Sequence, residues 1–361
     1  MKVAIVHDYL IKLGGAERVL EVIHKMFPDA PVYTFIFDAE KTQHKYDKWD
    51  IRPSYLQKMP WSKKKIDFYR PLMPAAIEQF DFSGFDLVIS NNHSFAKGII
   101  TKPETVHVCY CHTPTRYLWH QVNIANNKLG WLTRKIAPYV LNYLRVFDYL
   151  SAQRVDYFMA NSKAVKDRIK KYYRRDSDIL YPPVDISRFN ISKETEDYFL
   201  IVSRLEPHKS VDLAISAFND LGIPLKIIGA GSEYENLKSM AKKNIEFLGE
   251  ISDEEVERYI SKCKAFIFPQ EEDFGITALE AQACGRPVVA FRKGGALETV
   301  VDGKTGVFFD EQTAPCLAEA IRNFDNIKFD VQEIRNQAEK FSEENFMKNL
   351  SNLIDKYCYK K

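Results

Sequence analysis

The sequence of 361 residues contains no uninterrupted apolar stretch of about 20 residues, the length that a membrane-spanning helix needs. The chain begins MKVAIVHDYL, which turns polar too early for a secretory signal peptide. The net charge is also small, +2 at pH 7, and gives no support for a nucleic-acid partner. We therefore expect a cytoplasmic protein that spans no membrane and binds no nucleic acid.

Signatures of cofactor binding are missing as well. Neither half carries a complete GxGxxG fingerprint, since GAGSEY at Gly229–Tyr234 lacks the third glycine, and no Walker A segment occurs, which disfavours a dinucleotide-binding dehydrogenase. The six cysteines are irregularly spaced. Cys109 and Cys111 lie in an apolar strand pattern with no second pair at zinc spacing, so we predict buried thiols. We expect no metal and no cofactor.

The chain does have a regular alternation of strand and helix patterns, in two halves. Its length exceeds one ordinary hydrophobic core, and the alternation predicts α/β domains with parallel sheets. The prolines of Tyr181–Asp185 and the polar run Ile191–Asp197 mark a linker between the halves. In the second half we predict a helix at Val211–Leu221 and another that Ser252 opens, with Glu255 completing a capping box.

The most informative segment is Gln270–Val289, which has the sequence QEEDFGITALEAQACGRPVV. Apolar runs before and at its end predict the order strand, loop, helix, strand. Glu272 then lies in the loop and Glu280 in the helix, with seven residues between them. Gly275 at the mouth of the helix lets backbone amides approach an anion. The two carboxylates suit the hydroxyl groups of a sugar and a ribose, so the segment predicts a sugar-nucleotide site.

Two cations open the second half of the chain. Arg204 and Lys209 flank a proline turn directly after a strand pattern, in the sequence VSRLEPHK. Both side chains can aim at one anion, such as a leaving nucleotide diphosphate, whose charge grows as the glycosidic bond breaks. Taken alone, the pair is also compatible with two solvated surface charges.

The first half has candidates at the ends of strands. Gly14 and Gly15 follow a strand and open a helix, so their amides can face a phosphate, with a plain tight turn as the alternative. His112 follows an apolar strand at the edge where α/β sheets bind ligands, although a structural histidine is the alternative. Ser162 is a weaker candidate, because it also suits the N-cap of the next helix. His7 also ends a strand and is weighted lower.

Taken together, these segments resemble one family. VHDYL, GGAE, YCHTPTRY, the R-x4-K spacing of Arg204 and Lys209, and the E-x7-E spacing of Glu272 and Glu280 resemble the motifs of retaining glycosyltransferases of the GT-B fold, family four. The resemblance covers nearly the whole chain and is strongest in the second half. It implies an α/β fold with two Rossmann-like domains facing each other across a deep cleft. It also implies an acceptor domain at 1–188, joined by a C-terminal helix at 341–361, and a donor domain at 189–340.

The resemblance assigns roles to the candidate residues. In the family the R-x4-K pair binds the donor diphosphate, which gives this role to Arg204 and Lys209. By the same resemblance Glu272 contacts hydroxyls of the donor sugar, Glu280 binds the ribose, and His112 faces the sugar. The further donor contacts that it implies are Gly14, Gly15, Ser162, Gly231, Phe274, Gly275 and Ile276. Retaining enzymes of this type react on one face of the sugar, so Glu272 is not expected to be a covalent nucleophile.

The motifs of the first half are most similar to those of bacterial mannosyltransferases of surface-polysaccharide and lipopolysaccharide assembly. GDP-mannose is therefore the expected donor, and a glycan or lipid-linked glycan is the expected acceptor. A UDP-sugar is the main alternative donor. A sugar-nucleotide epimerase of the same architecture would need a pair of acid–base carboxylates in the first domain, and no convincing pair occurs. A non-catalytic binding module is disfavoured by the intact charged motifs of the second half.

A basic and aromatic stretch lies in the first half. Lys41–Arg70 contains nine Lys or Arg and three Asp or Glu, with aromatic residues interleaved. Such a face suits an anionic membrane surface or a lipid-diphosphate acceptor. We hypothesise that Trp61 and Lys63–Lys65 dock on the inner leaflet, with a second contact at Lys128–Phe147. The alternatives are a solvated loop with an ordinary core helix, and, with less support, single-stranded nucleic acid.

Overall fold

The structure of the protein is a computed structural model that describes residues 1–119 and 131–358. The chain divides into two compact units, which are Met1–Tyr181 with Phe346–Lys361, and Pro182–Asn345. The division falls at the start of the two-proline segment that the sequence marked as a linker. The functional domain boundaries predicted at residues 188 and 340 stay predictions, and residues 359–361 of the predicted C-terminal helix lie outside the described part.

The first unit is built on a parallel sheet. Its strands are β1 (Val3–His7), β2 (Val32–Thr34), β3 (Ile51–Pro53), β4 (Leu87–Asn92), β5 (Val106–Cys111), β6 (Tyr157–Ala160) and β7 (Ser177–Ile179). Within the described ranges these seven strands lie in the order β3-β2-β1-β4-β5-β6-β7. Strands β1, β4 and β5 are buried along their whole length, as expected for central strands with helices on both faces. Cys109 and Cys111 are buried in β5, which confirms the prediction of buried thiols.

Helices cover the faces of this sheet. They are α1 (Gly15–Met26), α2 (Met73–Glu78), α3 (Arg116–Trp119), α4 (Trp131–Gln153) and α5 (Lys163–Tyr173), with short 3-10 helices at Tyr55–Lys58, Ile66–Leu72 and Ala96–Gly98. Helix α1 buries Val19, Leu20 and Ile23 against the sheet. These positions recur at the spacing of one helix face, so the apolar pattern of the sequence accounts for where the helix packs.

The second unit repeats the plan. Its strands are β8 (Phe199–Val202), β9 (Leu225–Ile228), β10 (Ile245–Gly249), β11 (Ala265–Phe268), β12 (Val288–Phe291) and β13 (Gly306–Phe309), and they pair in the order β10-β9-β8-β11-β12-β13. Its helices are α6 (Val211–Leu221), α7 (Tyr234–Met240), α8 (Asp253–Lys262), α9 (Ile276–Ala283), α10 (Ala296–Thr299), α11 (Ala314–Phe324) and α12 (Val331–Glu339), with 3-10 helices at Ile186–Arg188 and Pro207–Lys209. The described chain ends with α13 (Glu343–Cys358), whose Phe346, Leu350 and Ile354 pack in the core of the first unit.

Several local predictions are confirmed in the second unit. Helix α6 begins at Val211 and ends at Leu221, where Gly222 takes the left-handed conformation (φ +70°) typical of a helix C-terminus. At the start of α8, the side chain of Ser252 accepts from the amide of Glu255 and the Glu255 side chain returns the contact, which is a capping box. The segment around Glu272 and Glu280 has the predicted order, with β11, a loop, α9 and β12.

Both sheets have a point at which the strand order reverses. In the first unit it lies between β1 and β4, and in the second between β8 and β11. In open parallel sheets, ligands bind outside the carboxyl ends of the strands at this point. The loops that are expected to bind ligands in the two Rossmann-like sheets are therefore those that follow β1, β4, β8 and β11. No helix in the two described ranges is long and apolar enough to cross a membrane.

Candidate active site

The loop after β8 carries both predicted cations of the second unit. Arg204 follows the strand, is exposed, and makes no ion pair among the described residues. Lys209 ends a short 3-10 helix, and Ser210 (φ +52°) then turns the chain into α6. The loop therefore leaves Arg204 available to a ligand, while Lys209 is held at the beginning of a helix.

The GAG turn after β9 packs directly against this loop. The amide of Leu205 donates to the carbonyl of Ala230 at 2.8 Å. A Cβ atom on Gly229 (φ +132°) would lie 1.9 Å from the carbonyl oxygen of Ser203, and one on Gly231 would lie 2.2 Å from that of Leu205. Only glycine allows the two backbones to approach so closely. Gly231 thus supports the loop that carries Arg204 and Lys209.

Lys209 and Glu272 are brought together as an ion pair. The ammonium of Lys209 contacts Oε1 of Glu272, and the two side chains are only 13% and 16% exposed. Lys209 comes from the loop after β8 and Glu272 from the loop after β11, so the pair lies at the point where the strand order reverses. Two residues 63 positions apart, which the resemblance assigns to the same donor, are therefore in direct contact in the second unit.

A pair of glycines that the sequence analysis missed holds the Glu272 loop. The amide of Gly295 donates to the carbonyl of Glu272 at 2.9 Å. A Cβ atom on Gly294 (φ +64°) would lie 2.3 Å from that carbonyl oxygen, and one on Gly295 would lie 2.2 Å from the Cα atom of Phe274. The signal was present as two adjacent glycines between a strand and a helix in FRKGGALE.

Helix α9 places the remaining residues of the motif. Gly275 precedes it with φ +93°, and a Cβ atom there would lie 2.7 Å from the ring of Phe268. Ile276 begins the helix, and Glu280 lies one turn later on the same face, with only 5% of its surface exposed. Phe274 is buried and packs edge-to-face on Phe341, with ring centroids 5.4 Å apart. The loop and the first turn of α9 are therefore held firmly.

In the first unit, a row of polar side chains lies at the ends of β1, β4 and β5. Nε2 of His112 is 2.6 Å from Oδ1 of Asn91, and Nδ2 of Asn91 is 3.1 Å from Nδ1 of His7. Nε2 of His7 lies 3.6 Å from Oε1 of Glu17, in the first turn of α1. His112 is half-buried, whereas Asn91, His7 and Glu17 are almost fully buried. His112 is thus the only member of this row with appreciable exposure.

The environment sets the charge of this row. Burial lowers the pKa of His112 to about 3, and the nearby His93 and His7 lower it further than Glu17 and Asp8 raise it. Burial alone would raise the pKa of Glu17, but His7, whose Nε2 faces it at 3.6 Å, lowers it to about 2. At neutral pH the row therefore combines a neutral His112 with an ionised Glu17.

Gly14 and Gly15 lie beside this row. Gly14 is in an extended conformation, and a Cβ atom there would lie 3.1 Å from Oε2 of Glu17, which is tighter than ordinary contact. Gly15 begins α1. Gly14 therefore keeps space around the Glu17 carboxylate, and the role of both glycines toward a donor phosphate stays a prediction.

A buried carboxylate, Asp8, fixes the neighbouring loop after β4. Its two oxygens accept from the backbone amides of residues 93–96, at 2.7–2.9 Å. Although burial raises its pKa, the charge of His93 and these amides lower it overall. Asp8 lies in the VHDYL motif but was assigned no role, and Asn91 was not predicted, although both are polar residues at the end of an apolar strand.

The segment after His112 is anchored by another buried charge. Asp148 on α4 accepts from Lys97 at 2.5 Å, from the hydroxyl of Thr115 at 2.8 Å and from the indole of Trp119 at 2.7 Å. Lys97 and Asp148 are fully buried, so removal of either would leave an uncompensated charge. This network fixes the chain that leaves His112.

Ser162 lies at the end of β6, where it is fully buried. Its hydroxyl accepts from the amide of Val165 at 3.3 Å and donates to Oδ1 of Asn161 at 2.9 Å. Ser162 therefore caps α5, which is the alternative that the sequence analysis raised. A contact with the donor stays a prediction.

Two family models match the chain. The model described as Glycosyltransferase Family 4 matches residues 13–188, and the model described as Glycosyl transferases group 1 matches residues 184–344. The chain belongs to the family 4 glycosyltransferases. Its two Rossmann-like α/β sheets are those of the GT-B fold, as predicted from the sequence.

The relatives of this glycosyltransferase include mannosyltransferases at low identity. An uncharacterized glycosyltransferase of Methanocaldococcus jannaschii is 24% identical over 89% of this chain and 87% of its own. The O-antigen chain mannosyltransferase RfbU of Salmonella typhimurium is 28% identical over 59% of this chain and 63% of its own. A GDP-mannose-dependent phosphatidylinositol monomannoside mannosyltransferase of Mycolicibacterium smegmatis is 37% identical over 33% of this chain and 36% of its own.

Among solved structures, the glycosyltransferase is similar to HepE of Anabaena, crystallised with UDP. The TM-score is 0.73 at 18% identity, over 99% of this chain and 100% of that chain. At this identity the likeness shows the fold alone. The predicted site residues of this glycosyltransferase thus form two groups, with Arg204, Lys209 and Glu272 in one unit and His112 in the other.

Proposed function

We propose that this glycosyltransferase transfers mannose from GDP-mannose, with retention of configuration, to a glycan or lipid-linked glycan of a surface polysaccharide or lipopolysaccharide. The observation that carries the proposal is the ion pair of Lys209 and Glu272 where the strand order of the second sheet reverses. A cation for phosphate and a carboxylate for hydroxyl groups meet there, and this is the combination that a nucleotide sugar requires.

In the proposed mechanism the charged groups of the second unit bind the donor. Arg204 and Lys209 stabilise the diphosphate as negative charge develops on it, and they need no rearrangement to do so. Glu272 accepts hydrogen bonds from hydroxyls of the sugar, and Glu280 from those of the ribose. Because two cations serve the diphosphate, this mechanism uses no metal ion for charge neutralisation.

The acceptor reacts on the face of the sugar that the diphosphate leaves. The departing diphosphate takes the proton of the acceptor hydroxyl, the new glycosidic bond forms, and the sugar passes through a short-lived oxocarbenium-like species. Glu272 binds the sugar and forms no covalent bond to it. His112, neutral at physiological pH, hydrogen-bonds the sugar and positions it.

Mannose and GDP are favoured by two of the relatives. RfbU is named as a mannosyltransferase of the O-antigen chain, and the Mycolicibacterium smegmatis enzyme as GDP-mannose-dependent. A UDP-sugar donor is the second candidate, because HepE was crystallised with UDP. Glu272 does not decide between them, since it would accept a hydrogen bond from a hydroxyl of mannose, glucose or galactose alike.

A thermal-shift panel with GDP, GDP-mannose, UDP and UDP-glucose tests the donor, followed by turnover of whichever nucleotide sugar stabilises the protein. A ligand that binds only the folded state raises the free energy of unfolding, by about 2.7 kcal/mol when its concentration is a hundred times Kd. The melting temperature rises as a result. We expect GDP and GDP-mannose to raise the melting temperature. Stabilisation by UDP and UDP-glucose alone would contradict the mannose assignment.

We further propose that the basic and aromatic stretch binds an anionic membrane surface. Trp61 is 73% exposed and Phe68 78% exposed, and Trp61 has a left-handed backbone (φ +54°) that is uncommon for a bulky residue. The ammonium of Lys65 lies over the Trp61 ring, 6.0 Å from its centroid. Exposed aromatic rings beside lysines are the composition of a surface that inserts at a lipid headgroup layer.

Helix α4 offers a second exposed apolar surface in the first unit. Ile136, Tyr139, Tyr143, Val146 and Leu150 are each more than half exposed. They recur every three or four residues and so lie on one face of the helix. They extend the membrane-binding proposal to the second stretch found in the sequence, of which residues 128–130 lie outside the described part.

A further inference from the structure

The hydrogen bonds of Asn91, a residue of β4, determine which ring nitrogen of His112 carries the proton. Asn91 lies directly beside His7, because β1 and β4 pair in parallel with these two residues in register. Its side chain reaches three groups, namely Nε2 of His112 at 2.6 Å, the carbonyl oxygen of Ala16 at 2.8 Å and Nδ1 of His7 at 3.1 Å. A single amide thus connects the two histidines.

The contact with Ala16 fixes the orientation of this amide. A carbonyl oxygen can only accept, so the group that faces it must be the NH2 of Asn91, and the amide oxygen then faces His112. That oxygen can only accept as well. His112 must therefore donate from Nε2, and in its neutral form the lone pair lies on Nδ1.

The same orientation sets the proton of His7. The NH2 of Asn91 donates to Nδ1 of His7, so the remaining proton of His7 lies on Nε2, which faces the Glu17 carboxylate at 3.6 Å. Glu17 is 1% exposed and His7 is fully buried, so water does not compete for these groups. Glu17 thus favours the tautomer of His7 that can accept from Asn91.

We infer that Asn91 is a positioning residue that, with His7 and Glu17 behind it, holds His112 as the Nε2–H tautomer and presents the Nδ1 lone pair to a hydroxyl group of a sugar. The inference rests on the proposed function for the identity of the ligand, but the tautomer itself follows from contacts within the first unit. Among the described residues no group hydrogen-bonds Nδ1, and His112 is half-buried. His112 is then a hydrogen-bond acceptor for the sugar and not an acid.

Nitrogen-15 NMR of histidine-labelled full-length protein reads the tautomer directly, with His112→Gln used to assign the resonance. We expect a neutral ring at pH 7 with its proton on Nε2. A ring protonated on Nδ1, or on both nitrogens, overturns the inference whether or not the protein transfers mannose. The measurement needs no substrate, so failure of the proposed function is seen separately, as absence of turnover with every donor of the panel.

The variant Asn91→Asp tests the inference through the pH dependence of kcat, which should not change if the role of Asn91 is purely structural. Its carboxylate keeps an acceptor opposite Nε2 but favours the charged imidazolium, which raises the pKa of His112 from its low value. The other titratable groups near His112 are His7, His93, Glu17 and Asp8, and none of them is replaced in this variant. With the donor that the panel identifies, we expect the acid limb of kcat to move to higher pH. A profile that superimposes on that of the wild type overturns the inference.

Asn91→Ala and Ser90→Ala complete the test as a matched pair. Ser90 precedes Asn91 on β4, is buried, and hydrogen-bonds a different histidine, His107, at 2.9 Å from the opposite face of the sheet. In Asn91→Ala we expect His112 no longer to be held as the Nε2–H tautomer. We also expect kcat to fall about tenfold or more, as it does when a partner that orients a functional histidine is removed. Ser90→Ala should keep both. Equal losses in the two variants, or an unchanged His112 tautomer in Asn91→Ala, would contradict the inference.

Discussion

At the scale of single residues, the charged side chains in the loops of the second unit differ in burial and in pairing. Lys209 and Glu272 neutralise each other in a mostly buried position, while Arg204 stays exposed without an ion pair among the described residues. A buried ion pair adds little net stability, since the loss of solvation offsets much of the attraction. Its place at the reversal of strand order therefore points to ligand binding as its role.

Replacing Lys209 or Glu280 by alanine should impair catalysis and leave the fold intact. We expect Lys209→Ala and Glu280→Ala each to lower kcat/KM for transfer by about a hundredfold, the scale measured when one stabilising contact to a developing charge or oriented substrate is removed. Steady-state transfer assays measure the loss, and circular dichroism checks the fold. If both variants transfer at near the wild-type rate, the assignment of the site is wrong.

Lys293→Ala is the matched control for this experiment. Lys293 pairs with Glu271, the neighbour of Glu272, at 3.1 Å, but its side chain is 59% exposed. Exposed ion pairs contribute about 0–1 kcal/mol, so the variant removes a similar contact beside the site at little cost. We expect its turnover to stay within about twofold of the wild type.

At the scale of elements, glycines determine how closely neighbouring loops pack. Gly229 and Gly231 allow the turn after β9 to approach the loop after β8, and Gly294 and Gly295 allow the loop after β12 to approach that after β11. Each approach leaves no room for a Cβ atom. The loops that carry Lys209 and Glu272 are therefore positioned by backbone contacts from the next strand.

Gly294→Ala tests this positioning against Gly303→Ala. Both glycines have left-handed backbones (φ +64° and +71°), so both substitutions carry the same conformational cost of about 1–2 kcal/mol. Only at Gly294 would the Cβ atom also meet a carbonyl oxygen, that of Glu272 at 2.3 Å, whereas nothing lies within 4 Å at Gly303. Urea unfolding should show a further loss of about 1–3 kcal/mol for Gly294→Ala. Equal losses would show that the contact with Glu272 is not tight.

The elements that the sequence predicted are those with local signals. The helix Val211–Leu221 and the capping box of Ser252 and Glu255 lie in short, continuous patterns, and both are confirmed. The role of Asn91 was not predictable in this way. It is a polar residue in an apolar strand, and its partner His7 lies 84 positions away, so the contact depends on the register of two strands.

The same distinction applies to the candidate site. The family resemblance assigned Lys209 and Glu272 to one donor, but no local pattern predicted a direct contact between their side chains. Their ion pair follows from the order β8-β11 in the sheet, which places two distant loops side by side. Gly294 was missed because its necessity appears only once the carbonyl of Glu272 has a position.

At the scale of the whole molecule, the membrane-binding proposal is tested with vesicles. The triple variant Lys63→Glu, Lys64→Glu, Lys65→Glu reverses the charge beside Trp61, and each basic residue near an anionic surface contributes about 1 kcal/mol. We expect the wild type to co-sediment with vesicles of phosphatidylglycerol and phosphatidylcholine and the variant to remain mostly in the supernatant. Vesicles of phosphatidylcholine alone should bind neither protein strongly.

Two further results decide this experiment. Lys242→Glu, Lys243→Glu makes a control in the second unit, because it also replaces adjacent lysines but lies outside Lys41–Arg70 and α4. It should pellet like the wild type. Equal pelleting of the wild type and the triple variant would contradict the proposal.

The ion pair of Lys209 and Glu272 has a consequence for selectivity between whole donors and their fragments. Under the proposed assignment, free phosphate or pyrophosphate would draw Lys209 away and leave a carboxylate without its counter-ion, while a free sugar would leave the ammonium uncompensated. An intact nucleotide sugar replaces both partners at once. Free phosphate, pyrophosphate and free sugar, each of which replaces only one partner, should therefore bind less tightly than the intact donor.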